Sequence, residues 1–247
     1  MPRLAASLRL GSPVHSLSVE STELLIATDS LVSYSVTTHN FKRSAMNNFF
    51  IIWIVSGVIL LLLAGGVGKG ATGNWTGILI DGRGRYSLTH LQTTAWTLLI
   101  LSAFVATLIA HNFDATKVTI ASEILQLMGI AAGSAVLATG VKGAKDAAGS
   151  GATVASEGKT VTRPDDTTQT ISAKFSQIWL EEEGKLADKV VSITKFQNFI
   201  FTLVALVVFA ALCVAASDLP AKLPEHLVWL LGISHAGYIG GKIPDKN

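Results

Sequence analysis

The sequence predicts an all-α integral membrane protein. We expect five transmembrane helices, four of them arranged as two parallel two-helix hairpin repeats with short cytoplasmic turn elements. Hydrophobic residues make up 49% of the 247 residues and charged residues only 15%, whereas soluble domains carry about 25% charged residues. The apolar residues also fall in long blocks, and about 20 consecutive apolar residues cross a bilayer as one helix. The composition and the grouping of apolar residues into long runs together argue against an ordinary soluble domain.

Five apolar runs predict the helices in chain order. The runs cover residues 49–68, 93–110, 124–141, 198–217 and the shorter 227–241. We divide the chain into a first transmembrane helix with its linker, a first repeat, a flexible cytoplasmic linker and a second repeat. These parts cover residues 46–74, 75–142, 143–174 and 175–247. The linker is assigned from its high content of Ala, Gly, Ser, Thr and Asp.

Residues 1–45 differ from the rest of the chain. They contain no helical apolar stripe and no long apolar run, and Met46 stands directly before the first predicted span. We expect this segment to be a disordered or mis-called N-terminal extension. The alternative is a short cytosolic tail.

Residues 75–142 align with residues 175–242 after small shifts. Polar residues and glycines match as well as apolar ones, and chance alignment of apolar runs does not explain those matches. The pattern predicts an internal duplication. The matched pairs include Ser87–Ser192, Thr89–Thr194, Gln92–Gln197, Thr97–Thr202, Gly140–Gly240 and Lys142–Lys242.

Each copy carries the signals of a helix start, and the first copy also shows a turn ahead of it. The stretch DGRG at 81–84 is typical of a tight hairpin turn, because Asp-Gly tolerates positive φ values. Thr89 and Gln92 have the spacing of a capping box, and so do Thr194 and Gln197. In such a box the two side chains bond free backbone N–H groups. We therefore expect these four residues to cap the first helix of each hairpin.

The second helix of each hairpin carries glycines at one-turn spacing. Gly129 and Gly133 lie in the first copy, Gly237 and Gly241 in the second, and Gly232 belongs to a Gly-Ile pair ahead of them. Helices in lipid associate where small residues let backbones approach closely. We expect these glycines to form helix-packing faces, with a second copy or another membrane protein as partner.

The stretch GGVGKGAT at 65–72 superficially resembles a phosphate-binding loop. It departs from that motif because Leu63 stands where the first glycine is required and Gly70 follows Lys69 in place of Ser or Thr. We interpret the stretch as the glycine-rich end of the first membrane helix.

Lys and Arg residues predict the orientation in the membrane. From Met46 onward, thirteen of them fall in 69–91, in 142–196 and after 241, whereas only Lys117 and Lys222 fall in the opposite loops. The positive-inside rule places the larger set, and with it the C-terminus, in the cytoplasm. Two hairpins of the same orientation imply a pseudo-two-fold axis along the membrane normal.

Few residues are candidates for a catalytic, ligand-binding or pore-lining role. His235 lies within an apolar helix and Gln126 about one turn inside another, so each is a candidate for the wall of a pore. The alternative for His235 is a hydrogen bond to a neighbouring helix, or a position near the interface because its helix is short. The alternative for Gln126 is a helix cap or a hydrogen bond across the helix. The loop carboxylates Asp81 and 181–183 have no nucleophile or base at catalytic spacing. We expect no enzyme activity, no cofactor, no metal site and no nucleic-acid partner.

The blocks GRYSLTHLQTTAWT and LVWLLGISHAGYIGGK resemble an uncharacterised group of bacterial multi-pass membrane proteins. In that group a Ser-Leu…Gln…Trp-Thr block precedes one membrane helix and a Leu-Gly-Ile-Ser…Tyr…Lys block ends another. The resemblance covers roughly residues 75–242, and the first copy departs from it at Ala131 and Ala135, where serine and tyrosine are expected. It implies the architecture and a bacterial inner (cytoplasmic) membrane, but no site.

These features together predict a non-enzymatic, self-associating membrane scaffold or anchor, with the lipid bilayer as its surroundings. The alternative is a small channel or transporter with a path between the two repeats. A continuous polar path across the membrane would distinguish the second function from the first.

Overall fold

The computed structural model describes residues 48–147, 160–162, 168–170, 173–183 and 186–243. The predicted extension at 1–45 lies outside the described residues. Five α-helices make up most of the described structure, which confirms the predicted helical class. They are α1 (Asn48–Thr72), α2 (Leu88–Ala110), α3 (Ser122–Ala147), α4 (Ile193–Ala216) and α5 (Glu225–Gly240).

Four of these helices, α1 to α4, are long and apolar enough to cross a membrane. The chain is therefore consistent with a multi-pass membrane protein. Helix α5 has 16 residues and is about 24 Å long at 1.5 Å per residue. Because a hydrocarbon core is roughly 30 Å thick, the fifth transmembrane span stays a prediction.

Short elements connect the helices. Strands β1 (Thr160–Thr162) and β2 (Thr168–Thr170) pair in antiparallel register. This strand pair lies inside the segment predicted as a flexible linker, and α3 continues to Ala147, beyond the predicted end of the first repeat. The described residues also include 3-10 turns at Gly77–Leu79, Ala115–Lys117 and Phe175–Ile178.

Helices α2 to α5 form a four-helix bundle. Helix α2 packs on α3, α3 on α5, α5 on α4 and α4 on α2. We call the end at which α2 and α4 begin, and α3 and α5 finish, the charged end. The core between the helices is apolar: Trp96 of α2 meets Phe209 of α4 with ring centroids 6.1 Å apart, and Leu127 and Leu231 are buried in the same cluster.

Helix α1 is held to α2 around Ser102. The Trp53 indole N–H donates to Ser102 Oγ at 3.0 Å, and Ser56 Oγ donates to the Ser102 carbonyl at 3.1 Å. Many large apolar side chains of α1 remain exposed, Leu61 to Leu63 among them. An exposed apolar surface of this kind fits a helix that faces lipid.

The glycine-rich end of α1 packs against the turn that follows it. A Cβ atom at Gly65 would lie 2.7 Å from the Trp75 ring, and one at Gly68 would lie 2.8 Å from the backbone nitrogen of Ile78. These contacts explain Gly65 and Gly68, because the following turn approaches the helix too closely for a side chain, whereas Gly66 and Gly70 have open space around them. The interpretation of this stretch as a helix end is confirmed, since α1 continues to Thr72.

Helices α2 and α4 begin after the same backbone hydrogen bonds. The Ser87 N–H donates to the Leu79 carbonyl at 2.9 Å, and the Ser192 N–H donates to the Trp179 carbonyl at 2.8 Å. An antiparallel bridge precedes each helix. The bridges are Ile80–Tyr86 and Leu180–Val191.

The predicted hairpin turn at 81–84 is present. The Asp81 N–H donates to the Arg85 carbonyl at 2.9 Å, and Gly84 has a φ of 71°. The Asp81 carboxylate accepts from the Arg83 N–H at 3.0 Å, which is the local bond that makes aspartate common in turns.

The capping boxes predicted at 89–92 and 194–197 are wrong. The N-cap residues are Ser87 and Ser192, and neither makes a side-chain capping bond. Thr89 and Thr194 lie inside the first turn of their helices. The bridge and its backbone hydrogen bonds begin each helix two residues earlier than the box spacing implies, and Gln92 is freed to point into the bundle.

Candidate functional site

A buried ion-pair network lies at the charged end, centred on Glu182. Four cationic side chains surround this one carboxylate, whose side chain is only 10% exposed. Because a lone buried charge is strongly unfavourable, the cations are what allow Glu182 to be buried. They are Arg83 at 3.0 Å, Lys142 at 3.1 Å, Lys195 at 3.1 Å and Lys242 at 2.9 Å.

Each of the four cations comes from a different helix or its flank. Arg83 lies in the turn before α2 and Lys142 near the end of α3, while Lys195 lies in the first turn of α4 and Lys242 just after α5. Glu182 lies in the loop between the bridge residue Leu180 and α4. One loop carboxylate therefore joins the ends of all four bundle helices.

Further ion pairs surround this centre. Lys142 also contacts the Asp81 carboxylate. Glu183 pairs with Lys145 at 2.6 Å and with Arg83 at 3.5 Å. Five cations and three carboxylates of the described residues are connected in this way.

A separate pair joins Arg85 to Asp188. The two guanidinium NH groups of Arg85 donate to the two carboxylate oxygens at 2.8 and 2.5 Å. A bidentate arginine–carboxylate pair is geometrically specific. The pair fixes the 186–189 turn against the hairpin turn that precedes α2.

The network favours the ionised form of Asp81 and of Glu182. Burial by itself would raise the pKa of Asp81, but the Lys142 ammonium and its hydrogen bond lower that pKa below the ordinary 3.8. Burial also opposes the charged form of Glu182, yet the neighbouring lysines, Lys195 first among them, hold its pKa well below 4.5. Opposite charges at contact distance outweigh desolvation here.

A small cavity of about 20 Å³ lies beside Glu182. It is lined by Lys195 and Lys242, by the glutamates 181–183, and by Ser192, Thr194, Tyr238 and Gly241. Such a volume is close to the minimum that holds one water molecule. The cavity lies directly against the cations that surround Glu182.

A layer of polar side chains follows the network into the bundle. Gln92 Nε2 donates to Thr202 Oγ1 at 2.7 Å and to the Asn198 carbonyl at 3.3 Å. Ser234 Oγ donates to Asn198 Oδ1 at 3.1 Å. The remaining amide atoms of the layer, Gln92 Oε1 and Asn198 Nδ2, have no hydrogen-bond partner within the described structure.

His235 belongs to the same layer. It is 3% exposed, and its Nδ1 is 2.7 Å from Ser134 Oγ of α3. This contact is the hydrogen bond to a neighbouring helix that the sequence left open as an alternative to a pore wall. Gln126 lies elsewhere, exposed on the surface of α3.

Apolar side chains close the rest of the bundle interior. Beyond Trp96 and Phe209, the buried positions are filled by Ala103, Ala106 and Leu223, among others. At the far end His111 Nε2 lies 2.9 Å from Asp218 Oδ2, at partly exposed positions. Through the part of the chain that the structure describes, the polar side chains therefore do not line one continuous path.

The five predicted packing glycines divide into two groups. Gly232 lies 3.7 Å from Ile130 Cδ1 and Gly241 lies 3.6 Å from Thr194 Oγ1, measured from an added Cβ, so both face other parts of the bundle. The other three have open space where a Cβ would be, so the predicted close packing is not made within the described chain. They are Gly129, Gly133 and Gly237.

Sequence reasoning missed the ion-pair network. In the sequence, Asp81 and Glu182 look like ordinary loop carboxylates, and the lysines predict only the topology. One signal was present: Lys142 and Lys242 occupy matching positions at the ends of the two aligned segments. Two lysines at equivalent helix ends, with carboxylates in the preceding turns, indicate a shared ion cluster.

No group of three or more His, Cys, Asp or Glu side chains among those described could hold a metal ion. Comparison of the chain with family models, with curated proteins and with solved structures finds no match.

Proposed function

We propose that this protein is a non-enzymatic integral membrane scaffold or anchor that self-associates, or binds another membrane protein, through its glycine faces. The observation that carries the proposal is the open space at Gly129, Gly133 and Gly237. Small residues on a lipid-facing surface let a second backbone approach closely. In the bundle itself the same helices pack through other faces, so these glycines are left for an external partner.

The closed interior supports a scaffold over a conduit. The buried cluster around Trp96 and Phe209 separates the polar layer from the far end of the bundle. An ion crossing this region would have to leave its hydration shell without replacement oxygens. A four-helix bundle with such a closed core is suited to presenting its outer surfaces to binding partners.

We also propose that 75–142 and 175–247 are two parallel hairpin repeats. The equivalent hydrogen bonds before α2 and α4 support this arrangement, as do the equivalent bridges. The positions of Lys142 and Lys242 support it independently, because both reach the same carboxylate.

The positive-inside rule supports a cytoplasmic charged end and C-terminus. The resemblance to bacterial multi-pass proteins supports a bacterial inner membrane as the location. In this arrangement α5 is a fifth span, and its short length is accommodated by local thinning of the bilayer.

Self-association is tested by replacing Gly133 with isoleucine. A branched side chain at a close helix contact typically destabilises it by about 1–3 kcal/mol, so Gly133→Ile should lower the subunit count measured by cross-linking and light scattering in detergent. Gly66→Ile is the matched control, because Gly66 on α1 is equally open. Equal subunit counts for wild type and both variants would overturn the proposal.

The polar layer gives one reason to retain a channel as the second candidate. His235 and Asn198 reach into the bundle from the charged end, and an oligomer could extend that layer between subunits. We expect no ion flux from reconstituted protein. Flux that His235→Leu abolishes without loss of assembly would favour the channel.

A further inference from the structure

At its start, helix α4 has polar side chains inside the bundle and apolar side chains outside. Ser192, Lys195 and Asn198 are at most 6% exposed. Ile193 and Phe196, between them in the sequence, are 77% and 50% exposed. A helix at a water-facing surface has the opposite arrangement, with its apolar stripe towards the core and its charged residues outside.

The same inversion occurs at the ends of α3 and α5. The side chains of Lys142 and Lys242 are only 11% and 10% exposed, and both pair with Glu182. Their next neighbours carry no charge and face outwards: Gly143 is exposed, and Ile243 is 63% exposed. Ionisable side chains that face a bundle interior and pair with one another are typical of membrane depth.

The loop ahead of α4 continues the exposed apolar surface. Leu186, Val190 and Val191 are 43–55% exposed. Together with Ile193 and Phe196 they form what we call the 186–196 patch. Because Lys195 and Phe196 are consecutive, the patch lies at the same depth as the ion pairs of Glu182.

One side of α4 connects the patch with the middle of the helix. Phe196, Leu203 and Val207 follow one another at intervals of seven and four residues, which places them on one side of a helix. Leu203 is 47% exposed and Val207 60% exposed. The patch is therefore continuous with the surface that α4 would present to lipid.

Comparison of the two aligned segments shows how such a surface looks when protein covers it. Leu88 occupies the position in the first segment that corresponds to Ile193 in the second. It is 1% exposed and belongs to a buried cluster with Ile178 and Tyr238. Within the described residues no comparable cluster covers Ile193, which is 77% exposed.

Aromatic rings lie at the same end of the bundle. The Trp179 ring meets those of Phe175 and Phe199 at centroid distances of 5.8 and 5.9 Å, and Phe175 also meets Tyr86 at 5.8 Å. Trp and Tyr are enriched at the level of the lipid headgroups. The aromatic rings therefore fit the same depth as the patch.

We propose that the charged end lies below the membrane surface, and that the 186–196 patch contacts the glycerol and upper acyl region of the surrounding leaflet. Apolar side chains at this depth are stable against lipid, whereas the same exposure to water is unfavourable. Lipid on the outside also explains why the cations turn inwards: Lys195 has its counter-charge in Glu182, 3.1 Å away, where water is scarce. The inference rests on the proposed membrane location.

Nitroxide labels on single cysteines test the surroundings of the patch. In a Cys213→Ala background, Val190→Cys, Ile193→Cys and Phe196→Cys are labelled and reconstituted in phosphatidylcholine nanodiscs, which leave both membrane faces open to solutes. Collisions with dissolved oxygen, which concentrates in lipid, are compared with collisions with a water-soluble nickel chelate. We expect the ratio of oxygen to nickel collisions to be several-fold higher at the three patch positions than at a water reference.

Two reference positions calibrate the measurement. Lys117→Cys is the water reference, because the Lys117 side chain is 64% exposed in the loop after α2. Val207→Cys is the lipid reference, because Val207 is 60% exposed in the middle of α4. The patch positions should resemble Val207 and not Lys117.

The outcomes separate the inference from the membrane location. Patch labels that favour the nickel chelate while the Val207 label favours oxygen would overturn the inference and leave the location intact. A Val207 label that favours the nickel chelate would contradict the location and the inference together. Patch labels that neither reagent reaches would assign the patch to a protein contact, such as a second copy, and would also overturn it. Each patch position is measured separately, so a variant that fails to assemble leaves the other two to decide.

Discussion

Replacement of Ser134 by alanine tests whether His235 serves as a helix–helix contact. Ser134 Oγ donates its single proton to the Ala131 carbonyl at 3.0 Å, so its bond with His235 at 2.7 Å requires the proton on Nδ1. Removing the hydroxyl leaves that N–H buried between α3 and α5 without an acceptor.

The size of the effect follows from burial. A buried donor left without a partner destabilises a protein by about 1–3 kcal/mol, whereas hydrogen bonds between membrane helices average about 0.6 kcal/mol. Because His235 and Ser134 are 3% and 5% exposed, we expect about 1 kcal/mol, or about 2–4 °C in Tm for a chain of this size. Serine and alanine differ little in volume, so the cavity contribution is small.

The assay is thermal unfolding in detergent followed by circular dichroism. Thr139→Ala is the control on the same helix. Thr139 is exposed, and its hydroxyl donates to the carbonyl of Ala135, one turn earlier, at 2.9 Å. The reasoning also predicts that Ser134→Ala has little effect in a His235→Leu background. It would be refuted by equal Tm losses for Ser134→Ala and Thr139→Ala, or by an undiminished loss in the His235→Leu background.

Two further predictions concern helix packing and orientation. Gly68→Ala should destabilise the protein by about 1–3 kcal/mol through overpacking against the backbone of the following turn. Gly66→Ala, with open space around the residue, should stabilise α1 by up to about 1 kcal/mol. Thermal unfolding measures both variants, and a change in stability of the same sign in both would contradict the described packing. In a Cys213→Ala background, a cysteine at Asn112 should react with an impermeant reagent on intact cells and one at Ser156 should not, and the reverse pattern would invert the proposed topology.

The helices could be predicted because each is encoded by a contiguous run of residues. The run at 49–68 became α1 and the run at 198–217 became α4 with only a few residues of difference at the ends. The first residues of α2 and α4 were harder to predict, because the bridges before these helices join residues up to eleven positions apart. Those bridges, and not the Thr–Gln spacing, decide where the helices begin.

The candidate site could not be predicted because its partners are distant in the sequence. Arg83 and Glu182 are 99 residues apart, and Lys242 and Glu182 are 60 apart. No periodicity connects such positions. Which glycines pack inside the bundle could not be predicted for the same reason. Gly232 and Gly237 look alike in the sequence, and only the position of α3 gives Gly232 a contact.

The partners of Glu182 are synthesised in a fixed order along the chain. Arg83 and Lys142 are synthesised first and Glu182 follows, but Lys242 is the last of its four cations to leave the ribosome. A first hairpin alone would expose basic helix ends with Asp81 as the nearby carboxylate, and a chain stopped before Lys242 would leave the cluster incomplete. All four cations can therefore reach Glu182 only after the last helix of the bundle has been synthesised.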